Sequence, residues 1–227
     1  MFLFDPMYLI LILPAVLLAG WAQSKVKRAF QEHSRRRALT GLSGAEVAQR
    51  MLSEAGLEDV GIEYSRQGSL SDHYDPRDRT IRLSSDVYEG RSLAALGVAA
   101  HEAGHALQHA TGYVWLGMRN TIIPVTQFGS RMAFPLFLVG LLLQGQTLMT
   151  LGILLFTFAV IFQLITLPVE YNASSRAIAA LQRTGAIETN EVGPVREVLN
   201  AAALTYLAAA LMAIMQLAYL LMLRGRR

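Results

Sequence analysis

Four long stretches almost free of charge constrain this chain more than any other feature, because about 20 apolar residues in a helix match the roughly 30 Å hydrocarbon core of a bilayer. They cover residues 2–22, 122–143, 147–168 and 196–223. From Thr121 to Val169 the only charged side chain is Arg131, and from Asn200 to Leu223 there is none. With 53% hydrophobic and 16% charged residues among 227, and a mean hydropathy of +0.35, the chain is too apolar for an ordinary soluble domain and far from disorder. The net charge of +3 carries no signature of nucleic-acid binding, and no such partner is expected. There are no cysteines, so any metal site must draw on His, Asp or Glu.

The first stretch reads as a retained anchor. A secretory signal would begin with a basic region, whereas here Asp5 is the only early charge and Lys25, Lys27 and Arg28 follow the segment. The second and third stretches flank Gln144-Gly145-Gln146-Thr147, a short turn between antiparallel helices. Pro194 suits the first turn of the fourth. The expected organisation is an anchor helix over 1–23, a polar region over 24–120, a membrane hairpin over 121–169, a second polar piece over 170–195 and a last membrane helix over 196–227. The polar region 24–120 holds 13 of the 20 Lys and Arg, which places it in the cytoplasm by the positive-inside rule. Arg224, Arg226 and Arg227 pull the other way, and the larger cluster next to the first span is given the greater weight.

Within the first polar piece, Ser43-Gly44-Ala45-Glu46 has capping-box spacing and Gly56 suits the end of the helix so begun. Residues 60–65 and 79–84 read as short strands, separated by the turn-rich Ser71-Asp72-His73-Tyr74-Asp75-Pro76. Ser92 is placed to cap a long helix ending near Gly112, and Pro168 to open another ending near Gly185.

The helix from Ser92 carries His101-Glu102-Ala103-Gly104-His105. Residues four apart share a helix face, so both imidazoles can reach one ion, and Glu102 beside them can take a proton from a bound water. At this composition an H-E-x-x-H match is expected by chance about 0.005 times. Val98, Ala99, Ala100, Ala106 and Leu107 flank it without charge, as a buried catalytic helix requires.

A catalytic zinc takes three protein ligands and keeps a fourth position open, so one ligand is missing. His109 continues the row but lies about 12 Å along the axis from His101, too far to share an ion, and reads as a supporting or core residue. Glu170 is the better third ligand. It is the only acidic residue between Glu102 and Glu188, at the end of an apolar span, where a carboxylate is costly unless paired or ligating a cation. A helix-start charge is the plainer reading of Glu170. Ser174, one turn on, can support Glu170 or a zinc histidine through a hydrogen bond.

These residues bring the chain close to a known family. It resembles the YugP-like family of membrane-bound neutral zinc metallopeptidases over nearly its whole length. The resemblance is carried by Ser71-Asp72-His73-Tyr74-Asp75-Pro76, Leu83-Ser84-Ser85-Asp86-Val87-Tyr88, the run Arg91 to Glu102, Leu167-Pro168-Val169-Glu170 and the run Val198 to Tyr206. It implies a mainly α, polytopic membrane protein with about four transmembrane helices and a small α+β zincin-like domain at the membrane surface. It further implies one Zn2+ per chain held by His101, His105 and Glu170, with Glu102 as catalytic acid/base. In the more distantly similar HtpX-like and Ste24-like proteases an Asp commonly stands four residues after the ligand Glu, where this chain has Ser174.

The implied activity is hydrolysis of peptide or membrane-protein substrates in a bacterial-type cell membrane. Oxyanion support would come from among His73, Tyr113, Tyr171, Arg176 and Tyr206. The run 79–84, or the loop before it, would pair with an extended substrate through backbone groups. The rival reading is a zinc-binding membrane scaffold or inactive homologue, in which a fourth protein ligand closes the site. An intramembrane protease would need its motif inside a span, but the apolar run before His101 is only about eight residues, far short of one.

Overall fold

Helices α1 (Pro6–Ser34), α5 (Val114–Leu142), α6 (Gln146–Arg183) and α7 (Val192–Gly225) carry the four apolar stretches, and each is long and apolar enough to cross a membrane. The computed structural model describes residues 5–66, 68 and 71–225. The start of the first apolar stretch and two terminal arginines, Arg226 and Arg227, lie outside the described residues. All four helices run past the apolar segments that announce them. Ala-, Arg- and Gln-containing ends such as Ala177-Ile178-Ala179-Ala180-Leu181-Gln182 keep good helix propensity after the greasy stretch stops.

Pro168 does not open a helix; α6 passes through it without a break. The proline removes one backbone bond and crowds the preceding turn. Helix formers on both sides and the surrounding packing outweigh that local cost, as they do at Pro124 and Pro135 inside α5. Glu170 therefore stands well inside α6, which removes the helix-start reading of its charge. Pro194 sits where expected, in the first turn of α7.

The chain divides into two compact units. The first comprises Met1–Gln23, Gly117–Pro168 and Leu204–Arg227. Its α5–α6 turn uses Gln144 at φ 56° and Gly145, whose N–H reaches the Gly140 carbonyl at 2.8 Å. Below that turn small residues let the two backbones meet: a Cβ on Gly152 would stand 2.7 Å from the Ala133 carbonyl oxygen, and one on Gly140 2.6 Å from the Met149 nitrogen. Phe137, Leu141, Met149, Ile153 and Leu220 form its buried cluster.

The second unit comprises Ser24–Leu116 and Val169–Ala203. Helix α2 (Gly44–Glu54) starts with the full capping box: the Ser43 hydroxyl accepts from Glu46 N at 3.2 Å, and the Glu46 carboxylate accepts from Ser43 N at 2.6 Å. Gly56 follows at φ +68°. A three-stranded sheet runs in the order β1 (Gly61–Tyr64), β3 (Thr80–Leu83), β2 (His73–Asp75), with β1 parallel and β2 antiparallel to β3. The turn-rich segment thus contains a strand. A short helix α3 (Ser85–Tyr88) leads to α4 (Leu93–Ala110), whose first turn Ser92 caps by accepting from Ala95 N at 3.2 Å. Thirteen of its residues are buried, among them Glu102, His105 and Gln108.

Both polar pieces of the sequence share one core. Val47, Met51 and Leu52 of α2, Ile81 and Leu83 of β3, and Leu96, Ala99 and Ala103 of α4 cluster with Ala177, Ala180, Leu181, Val195 and Leu199 from the later piece. Backbone and side-chain bonds add to this, with Leu39 N donating to Glu191 at 2.9 Å and the Thr40 hydroxyl to the Ala186 carbonyl at 2.9 Å.

Candidate metal centre

The helical spacing of His101 and His105 puts their rings side by side on α4, with centroids 4.8 Å apart and planes at 85°. Glu170 on α6 meets them. Its Oε2 lies 3.1 Å from His101 Nε2 and 3.7 Å from His105 Nε2, and one ligand atom from each of the three lies within 4.8 Å of the other two. All three are largely enclosed, Glu170 being 3% exposed. The other ring nitrogens are occupied: His101 Nδ1 faces the Ser174 hydroxyl at 3.1 Å and His105 Nδ1 the Gln108 carboxamide oxygen at 2.9 Å. Both Nε2 atoms are thereby aimed at the same carboxylate oxygen.

Gly104 makes this approach possible. It lies between the two histidines, and a Cβ there would stand 2.6 Å from the Ala173 carbonyl oxygen and 3.3 Å from its Cα. Those atoms are helix backbone and cannot step aside singly. Gly104→Ala is expected to cost about 1–3 kcal/mol by overpacking and to pull both imidazoles away from Glu170. Thermal melts of the variant should fall, and its bound metal with them; a variant that melts and binds metal as the parent does would contradict this packing.

Glu102 is 8% exposed, and no hydrogen bond holds its carboxylate among the described residues. Burial pushes its carboxyl up to about 7, with Glu170 and Asp72 adding to the rise and His101 and His73 opposing it. The group is thus poised to hold or release a proton near neutrality. The sign of the consequence for the metal-free protein is fixed. With a folded value above its ordinary 4.5, Glu102 favours folding fully below pH 4.5, and that contribution is lost as pH rises through about 7, on the order of 3 kcal/mol in all. Between pH 5 and 8 the chelator-treated parent should therefore lose melting temperature relative to Glu102→Gln, which cannot ionise. Parallel melting curves for the two proteins would refute it.

The remaining sequence candidates scatter. His73 lies in β2 with Nδ1 donating to the Ser71 carbonyl at 2.7 Å, and its charge reaches Glu102. His109 is exposed rather than in the core, and its Nδ1 pairs with the Tyr74 hydroxyl at 2.8 Å, fastening α4 to β2. Arg176 donates through Nε to Asn172 at 2.8 Å and lies over the Tyr113 ring at 5.8 Å. Tyr171 is 45% exposed. Tyr206 belongs to the other compact unit. The strand run 79–84 has no free edge, because β3 is paired on both sides; the open edge of the β3–β2 pair is that of β2. Gln108 and Asn172 were not legible as site residues. A polar side chain three residues after His105, on the buried face of an otherwise apolar helix, was the available signal for Gln108.

The sequence model of a family described as “Putative neutral zinc metallopeptidase” matches residues 8–225. A Bacillus subtilis (strain 168) protein named “Putative membrane protease YugP” is 50% identical over 222 residues, which is 97% of this chain and 98% of that protein. A threonine–tRNA ligase from Chelativorans sp. (strain BNC1) is 29% identical over 100 residues, 44% of this chain and 15% of that enzyme. No solved structure matches.

Proposed function

Because the chain belongs to the neutral zinc metallopeptidase family, we propose that it is a membrane-embedded zinc endopeptidase in which His101, His105 and Glu170 hold the metal and Glu102 is the general base. The observation that carries this reading is the convergence of two Nε2 atoms and one carboxylate oxygen within 4.8 Å. The donor set fits zinc. Ligands at the usual 2.0–2.2 Å in a tetrahedron stand about 3.4 Å apart, against 3.1 and 3.7 Å from Glu170 to the two rings. Among the described residues the cluster offers three protein ligands, the number a catalytic zinc uses, whereas a structural site takes four. The core that joins the two polar pieces is apolar, which also argues against a scaffolding role for the metal.

Zinc in this setting supplies a Lewis acid for the scissile carbonyl and lowers the pKa of water toward about 7. Glu102 takes the proton of the attacking water on its carboxylate and returns it to the leaving amine. His73 is the preferred oxyanion donor of the suggested set, since of those residues it is the one whose charge bears on the Glu102 carboxylate. An extended substrate adds to the open edge of β2, the strand tied to α4 through Tyr74 and His109, so that backbone groups on any sequence can bind. The four long helices anchor the chain as a multi-pass protein of the cell membrane. The second compact unit, richer in Lys and Arg, lies on the cytoplasmic side as a zincin-like domain and acts on membrane or membrane-associated proteins.

The test is metal analysis joined to a proteolysis assay on the purified full chain. One zinc per chain is expected, with casein cleavage that stops on chelation and returns with zinc. Cleavage indifferent to chelation would overturn the proposal.

A further inference from the structure

Gln108 is fully buried, at 0% exposed, yet the two polar atoms of its amide make three hydrogen bonds. Its Nε2 lies 2.8 Å from the Val169 carbonyl oxygen and 3.0 Å from Asn172 Oδ1, and its Oε1 lies 2.9 Å from His105 Nδ1. The orientation of this amide follows from its neighbours. The Val169 carbonyl can only accept, so the atom facing it must be the nitrogen. Asn172 Oδ1 is an acceptor for the same reason, since Arg176 Nε, which can only donate, approaches it at 2.8 Å. With both N–H groups committed, Gln108 turns its oxygen to His105.

That oxygen can only accept, so the neutral imidazole of His105 carries its proton on Nδ1 and presents a bare Nε2 toward Glu170. His101 is under no such compulsion, because the Ser174 hydroxyl at its Nδ1 can donate or accept. The same amide also grips α6 at residues 169 and 172, on either side of Glu170. We propose that Gln108 is a positioning residue that sets the tautomer and ring orientation of His105 through the bond its oxygen accepts from Nδ1. The proposal rests on the reading of His105 as a zinc ligand, in which a partner on the far ring nitrogen fixes ring orientation and raises ligand basicity.

Zinc affinity of the full chain, measured by competition with a chromophoric chelator, tests it alongside melting of the zinc-free proteins. Gln108→Met keeps the volume and removes all three bonds, whereas Gln108→Glu keeps an acceptor for His105 Nδ1. The expected result is zinc binding weakened about 10–100-fold in Gln108→Met, with Gln108→Glu within about threefold of the parent. A merely structural tie would lower melting in both variants and leave zinc affinity alone. Parental affinity in Gln108→Met, or equal losses in both variants, overturns the proposal.

Should Gln108→Glu not fold, nitrogen-15 spectra of the zinc-loaded parent decide. With only five histidines in the chain, and the His105 signal identified by its loss in His105→Ala, a proton on Nδ1 is expected, and a proton on Nε2 overturns the assignment. Zinc binding undiminished in His105→Ala would refute the ligand reading itself and the role of Gln108 with it. Loss of zinc there, with no change in Gln108→Met, would refute the role of Gln108 alone.

Discussion

Glu102→Gln should keep its zinc and lose peptidase activity by about 10²–10⁴-fold, the range that a positioned general base contributes. The substitution preserves shape and removes only the ability to take up a proton. None of the three clustered ligand atoms belongs to Glu102, so metal content should stay at the parental stoichiometry. The fold has nothing to lose either. Burial opposes the charged carboxylate, which no hydrogen bond among the described residues compensates, and a neutral carboxamide avoids that opposition. Stability at neutral pH should accordingly hold or rise while turnover collapses, a combination that ordinary structural damage does not produce. Casein cleavage and bound zinc measured on the same preparation read both quantities. Cleavage at the parental rate would remove Glu102 from the chemistry, and loss of zinc would instead make it a ligand.

The parts of this site that the sequence discloses are those with a periodic or compositional signature. Two histidines and a glutamate at helical spacing need only one regular helix to meet, and Ser92 starts it. The capping box at Ser43 and the apolar lengths of the long helices are equally local. Glu170 is legible for a different reason: a single carboxylate at the end of a long uncharged run has few tolerable states. What stays hidden depends on pairing between distant segments. Strand β2 has three residues set among turn formers, and only its register with β3, Tyr74 opposite Ile81, makes it a strand. Pro168 misleads because local chain preference is outvoted by packing along α6. Gln108 and Val169 are 61 residues apart, and an uncharged amide gives no compositional hint of the carbonyl it will meet. The small residue at Gly104 is similarly silent until the Ala173 backbone is seen against it.

Glu170→Ala should remove most of the metal while leaving the fold in place. The helices that bring the site together are held by contacts the substitution does not touch: Gln108 to the Val169 carbonyl, Ser174 to His101, and the Ala177, Ala180 and Leu181 face of α6 in the shared core. The imidazoles should therefore remain where they are, so that a loss of metal reports the missing ligand and not a displaced helix. Two neutral nitrogens alone offer zinc neither the third donor nor the negative charge, and the affinity should fall by more than the about 100-fold that losing an outer partner such as Gln108 can cost. Zinc retained through purification should drop well below one per chain. A second readout separates affinity from loading: added zinc should raise the melting temperature of the metal-stripped parent, because a ligand that binds only the folded state stabilises it, and should do so far less in the variant at the same concentration. An equal zinc-dependent rise in both proteins, with unchanged stoichiometry, would expel Glu170 from the ligand set. The hydrolytic reading would then require a different third ligand, and the described residues offer no other His, Asp or Glu grouped with His101 and His105.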